Sequence, residues 1–148
     1  HDVTMEDLMT NTSMTYGETY VSELKGAQLK DILEGIAENL FVQDPYLQSG
    51  GDMVRMGGMD YTIDPAAGLG ERISDMKDDE GTPIDPNKSY KVSGWAQVGS
   101  IGNGRLMWDV AADYLRKQKH LNLSKVNHPT IKGVKDNPGI ENYDGELI

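Results

Sequence analysis

Residues 26–41 read GAQLKDILEGIAENLF, and residues 18–25 before them read ETYVSELK. The two segments obey different periods. In the first eight residues Tyr20, Ser22 and Leu24 fall on one side of an extended chain and Val21 and Glu23 on the other, which predicts a strand ended by Gly26. From Ala27 the period changes. Leu29, Ile32, Leu33, Ile36 and Leu40 recur at i, i+3, i+4, i+7 and i+11 and line one helical face, while Lys30, Asp31, Glu34 and Glu38 are assigned to the wet face. Pro45 lies just past this helix and blocks its continuation.

The rest of the chain is read outward from this strand and helix. Upstream, Thr4 with Asp7 three residues on resembles a capping box and predicts a short helix over 4–10. Downstream, GMDYTID (58–64) and ERISDMK (71–77) read as two short strands around the loop PAAGLG. DDEGTP (78–83) reads as a turn, and KSYKVSGWA (88–96) as a strand that alternates Tyr90, Val92 and Gly94 against Lys91, Ser93 and Trp95. RLMWDVAADYLRKQ (105–118) then places Met107, Val110, Ala111, Tyr114 and Leu115 at helical spacing. Beyond Leu121 the periodicity ends, and Pro129, Gly133, Pro138, Gly139 and Gly145 punctuate an extended segment. The order helix, strand, helix, strands, helix predicts an α+β fold with a mixed β-sheet flanked by helices, as a single domain over 1–120 followed by an extended C-terminal tail over 121–148.

A chain of 148 residues suits one sizeable core. Its net charge of −10 repels phosphate backbones and anionic lipid, so neither nucleic acid nor membrane is expected as a partner. No apolar run approaches the roughly 20 residues of a membrane-spanning helix. His1-Asp2 opens the chain without a recognisable targeting segment. The absence of cysteine removes disulfides, thiol nucleophiles and thiolate metal ligands together.

The three histidines, His1, His120 and His128, show no i, i+4 pairing and no HExxH pattern, so no metal site is expected within this chain. Neither a Gly-x-Ser-x-Gly elbow nor a GxxxxGK[ST] loop is present, and no catalytic residue is assigned. Two glycine-rich stretches remain. QSGGDMVRMGG (48–58) sets Asp52 and Arg55 in bendable chain, where Arg55 can offer a bidentate fork to an oxyanion and the glycines let backbone amides approach it. The plainer alternative is a surface Arg55 paired with Asp52 in a bulged hairpin. Met53, Met56 and Met59 read as gap-filling apolar contacts. The second stretch, VGSIGNG (98–104), follows Trp95, which is either a pocket wall beside small residues or a core residue; Trp108 reads as packing.

Together, YLQSGGDMVRMGGMDYT, SYKVSGWAQVG and KGAQLKDILE resemble the C-terminal domain of the 5′-nucleotidase family, and within it the sulfur-oxidation branch, the SoxB thiosulfohydrolases. The resemblance runs from about Val3 to Gly139, and GGDMVR and GWA are its specific elements. It implies that this chain is one part of a two-domain metallophosphoesterase and inactive alone. The missing N-terminal domain would hold two manganese ions and perform the hydrolysis, and this domain would bind no cofactor. By the same resemblance the enzyme is periplasmic and releases sulfate from a cysteine S-thiosulfonate on the swinging C-terminal arm of a SoxYZ-type carrier protein. Gly50, Gly51, Asp52 and Arg55 are then the candidates for one wall of the substrate slot, and Trp95 and Gln97 for the opposite lip.

Nucleotidases of the family clamp a base between aromatic rings, one of them on a glycine loop. Here the corresponding VGSIGNGRLMW has no aromatic directly after its glycines, and Phe41 is the only Phe. Nucleotide or UDP-sugar hydrolysis is therefore the second expectation. A non-catalytic module that docks a protein partner through its acidic surface is the third.

Overall fold

The computed structural model describes residues 2–12, 15–95, 104–121 and 127–133. Along the chain these form α1 (Met5–Asn11), β1 (Thr19–Lys25), α2 (Gly26–Phe41), β2 (Met59–Ile63), β3 (Ile73–Asp78), β4 (Ser89–Trp95), α3 (Met107–Gln118) and β5 (Thr130–Ile131). Contacts gather into two compact units, one from residues 1–24 and 90–122, the other from 25–89 and 123–148.

In the first unit β1 and β4 form a two-stranded sheet and α1 packs on α3. Both strands keep the predicted alternation: Tyr20, Ser22, Leu24, Tyr90, Val92 and Gly94 are half-buried, while Val21, Glu23, Lys91, Ser93 and Trp95 are exposed. The capping box of α1 is also present. The Thr4 hydroxyl accepts from the Asp7 amide at 3.2 Å, and the Asp7 carboxylate accepts from the Thr4 amide at 2.8 Å. The Thr4 hydroxyl also donates to that carboxylate at 2.7 Å, and this bond, followed by the one from the Thr4 amide, holds the Asp7 carboxyl below its ordinary pKa.

The second unit holds the main core. Leu33 and Ala37 of α2 pack with Met59, Tyr61, Ile63 and Ile73 of β2 and β3, and Phe41, Met53, Met56, Met76 and Ile84 close around them. β2 lies antiparallel to β3 and parallel to β5, with Thr62 beside Thr130 and Ile63 beside Ile131. This is the mixed sheet that the order of elements predicted, and the α+β class holds. The β2–β3 register slips between Asp60 and Thr62. Asp75 takes a left-handed φ of 52° within that interval, a conformation Asp tolerates better than most residues, and the extra β3 residue makes a bulge.

Two local expectations change. β1 ends at Lys25 as expected, but α2 starts one residue ahead of its predicted start at Ala27, at Gly26. A Cβ there would stand 2.2 Å from the Asp85 carbonyl oxygen, so only glycine fits this start. The Gln28 side chain accepts from the Lys25 amide at 2.9 Å and satisfies the entry to the helix. Second, the buried face of α2 is rotated from the predicted stripe. Ile32 is exposed, whereas Glu34, assigned to the wet face, is only 4% exposed.

Glu34 is inside because the loop before β3 needs an acceptor. Its carboxylate receives the backbone N–H groups of Gly70 at 3.0 Å, Arg72 at 3.3 Å and Ile73 at 2.8 Å. The Lys30 ammonium lies 3.9 Å away on the solvent side. Arg72, also buried, donates through its guanidinium to the Glu38 carboxylate, and at 3.3 Å to the Phe41 carbonyl.

Glu34→Ala should strip the shared acceptor from three amides and destabilise the protein by about 3 kcal/mol. Glu34→Gln, which keeps one acceptor oxygen, should lose less. Urea denaturation followed by circular dichroism checks both values. Burial also pushes the Tyr61 phenol above its ordinary pKa. Because the folded value is the higher one, this contribution is complete below about pH 10 and is lost as pH rises through the folded pKa. Tyr61→Phe should therefore flatten the fall of stability with pH above about 10, measured by denaturation across that range.

Candidate functional site

The stretch 48–58 connects α2 to β2 as a loop and not as a hairpin. Its start is tied to the end of α2. The Gln48 side chain donates to the Val42 carbonyl at 3.2 Å. The Ser49 amide donates to the Asn39 carbonyl at 3.2 Å, and the Ser49 hydroxyl to the Asn39 side-chain oxygen at 2.9 Å. Gly50 follows so close to Asn39 that an added Cβ would sit 3.1 Å from the Asn39 Cβ. At the other end Gly58 has φ +82°, which turns the chain into β2 at Met59.

Between these ends the residues sort by chemistry. Met53 and Met56 are half-buried against the core that Met59 completes, as gap-filling contacts do. Gly50, Gly51, Asp52, Val54 and Arg55 are exposed. The two methionines act as anchors, and Arg55 stands in solvent between them. Asp52 and Arg55 do not pair with each other, and among the described residues neither joins an ion pair. A guanidinium held on an anchored loop among backbone amides can take an oxyanion bidentately.

The turn just before the loop adds a feature that the sequence reading missed. The Asp44 side chain accepts from the Tyr46 amide at 3.0 Å, and its carbonyl from the Leu47 amide at 3.0 Å. This turn holds Tyr46 96% and Leu47 64% exposed, so the stretch carries an apolar surface together with its cation. The signal was Asp44-Pro45, a turn opener that the helix reading used only as a stop.

Trp95 belongs to the first unit, at the end of β4, and is 44% exposed in the outer row with Lys91 and Ser93. It is not a core residue. Gln97 lies outside the described residues, as does most of the second glycine stretch. His128 is exposed beside a cavity of about 550 Å³ in the second unit, lined also by Asp60, Thr62, Asp75, Lys77 and Thr130. Acids and bases share that lining, so it presents no single sign of charge to an anion. Among the described residues no group of three His, Cys, Asp or Glu is placed to hold a metal ion, and no helix is long and apolar enough to cross a membrane.

Residues 1–136 match the family described as 5′-nucleotidase, C-terminal domain. The chain belongs to this family. Among solved structures it is similar to the sulfate thiohydrolase SoxB of Thermus thermophilus in complex with glycerol, at 34% identity and a TM-score of 0.80 over 91% of this chain. It also resembles a protein from Staphylococcus aureus assigned as a 5′-nucleotidase and solved with alpha-ketoglutarate, at 18% identity and a TM-score of 0.64 over 87% of this chain, which shows a shared fold. The chain spans 26% of the length of the first structure and 30% of the second. No curated protein matches the sequence. As a 5′-nucleotidase C-terminal domain it is part of a hydrolase family, and the motifs by which the family was expected begin on α2, in the loop 48–58 and on β4.

Proposed function

We propose that this domain recognises substrate for a periplasmic sulfur-oxidation hydrolase, which releases sulfate from a cysteine S-thiosulfonate carried on a SoxYZ-type protein. The reading rests on one observation above the others. A chain 34% identical to a SoxB structure presents Arg55 exposed on an anchored glycine loop, without an ion-pair partner among the described residues. A sulfonate has oxygens spaced to accept both arms of a guanidinium, and the amides of Gly50, Gly51 and Asp52 supply further donors. Tyr46, Leu47 and Val54 offer apolar surface to a thin, uncharged peptide arm. Trp95 and Gln97 are proposed as further contacts to that arm.

In the proposed reaction a water oxygen bonds to the sulfone sulfur and the sulfur–sulfur bond breaks. Sulfate departs with the new oxygen, the sulfane sulfur stays on the carrier cysteine, and the released protons pass to solvent. By the family resemblance, the two manganese ions are assigned to an N-terminal domain of the full-length enzyme. Metal ions there would supply the activated water. The part of this domain is to bind and orient. It holds the sulfonate so that its sulfur faces the nucleophile, and it keeps the arm from rotating.

Two measurements test this. In a two-dimensional NMR titration, a Gly-Gly-Cys-Gly-Gly peptide with an S-thiosulfonated cysteine should shift the amides of 50–55 and the Trp95 indole, while AMP should not. Shifts with AMP alone would make the domain a nucleotidase part instead. In the full-length enzyme Arg55→Ala should lower kcat/KM for the thiosulfonated carrier by about a hundredfold, the loss expected for a charge-assisted bidentate contact. Unchanged turnover in Arg55→Ala and Trp95→Ala would leave a docking module with no part in substrate binding.

A further inference from the structure

The loop that bears Arg55 is only as well placed as the helix end that holds it. α2 ends at Phe41 with no basic residue in its last turn. Its final carbonyls therefore carry the negative end of the helix dipole without a cation of their own. Arg72 supplies one from 31 residues further along the chain, donating to the Phe41 carbonyl and to Glu38 in the same turn. That turn also seats the loop, through Asn39 to Ser49 and Val42 to Gln48. Arg72 itself cannot drift. Its amide is fixed on Glu34 at 3.3 Å, and its carbonyl accepts from the Asp64 amide at 2.8 Å. Its Nε is buried, and no group among the described residues accepts from it.

We propose that Arg72 is a positioning residue for the substrate loop: by clamping the last turn of α2 it fixes the platform on which 48–50 rest, and thereby the place of Arg55. This deepens the proposed function and rests on it for the identity of the ligand, but the clamp can be tested without the ligand. Arg72 meets no substrate. Its effect passes through Glu38 and Phe41 to Asn39 and Val42, and from there to Ser49 and Gln48. A lysine at 72 would keep the charge and lose the fork that reaches two acceptors at once.

The test compares the full chain with Arg72→Met, Arg72→Lys and Glu38→Gln, and with Ala112→Gly in α3 as a destabilised control, a buried position in the first unit and outside the core on which Met53 and Met56 pack. Amide hydrogen exchange at Ser49, the shifts of 50–55 and the affinity for the thiosulfonated peptide are measured well below the unfolding temperature. Arg72→Met should speed Ser49 exchange and weaken the peptide at least tenfold each. Arg72→Lys should restore part of both, and Ala112→Gly should change neither despite its lower melting temperature. Glu38→Gln takes the charge from one arm of the clamp at a partly exposed position and weakens it, and it should speed Ser49 exchange even if Arg72→Met fails to fold. Unchanged Ser49 exchange and loop shifts in Arg72→Lys and Glu38→Gln would overturn the proposal and leave Arg72 a core residue only. If the unaltered chain does not bind the peptide, the sulfur-carrier reading falls, while the exchange data still decide the clamp.

Discussion

The second unit is organised around a carboxylate where the helical pattern asks for carbon. Glu34 sits on the inner face of α2, and its removal from water would cost several kcal/mol if it stayed unpaired. It is offset by three backbone N–H groups from 70–73, a stretch that no strand or helix could satisfy by itself. The bond set does more than neutralise a cost. It fixes where β3 begins, and so which residues of β3 meet β2. It also turns Arg72 inward beneath the end of α2. Core packing by Leu33, Ala37, Ile63 and Ile73 adds the larger share of attraction, but it is non-directional. The hydrogen bonds set the register in which that packing occurs.

This explains which parts of the fold could be read in advance. β1 and β4 were legible because each has one half-buried face, and a period of two then appears directly in the side chains. α2 was legible as a helix, but its rotation was not. Counting apolar positions placed Ile32 inside and Glu34 outside, whereas the true inner face follows the amides of a loop some 36 to 39 residues away in sequence. Hydrophobic periodicity records where carbon goes and carries no record of unpaired backbone donors elsewhere in the chain. β5 escaped for a related reason. A two-residue parallel ladder has too few side chains to show any period, and its partner strand lies far upstream.

The site shows the same division. The glycines, the lone Arg55 and the spacing of Met53, Met56 and Met59 are local signals, and they marked a bendable stretch with gap-filling methionines, which do pack on the core. What supports the loop is not local. Arg55 and Arg72 are the same residue type, each close to glycines, yet one is exposed and the other is among the most buried side chains of the chain. Only the presence of Glu38 and of a helix end without its own cation separates their roles, and both are facts of the folded chain.

Support of this kind matters because the loop is built from residues that lose the most freedom on ordering. Four glycines in eleven residues would leave 48–58 with many accessible conformations. Two methionine anchors, the Ser49 and Gln48 bonds and the turn at Asp44 remove that freedom before any ligand arrives, so that binding energy is not consumed in ordering the loop. In the proposed reading this preorganisation is matched to a ligand of low charge. The chain carries a net −10, and the one arginine of the loop offsets less of the repulsion of a doubly charged nucleotide phosphate than of a singly charged sulfonate. A monoanionic sulfonate on an uncharged arm asks for one guanidinium, a few amides and an apolar surface for the peptide. Those are the groups that the loop and the turn before it display together.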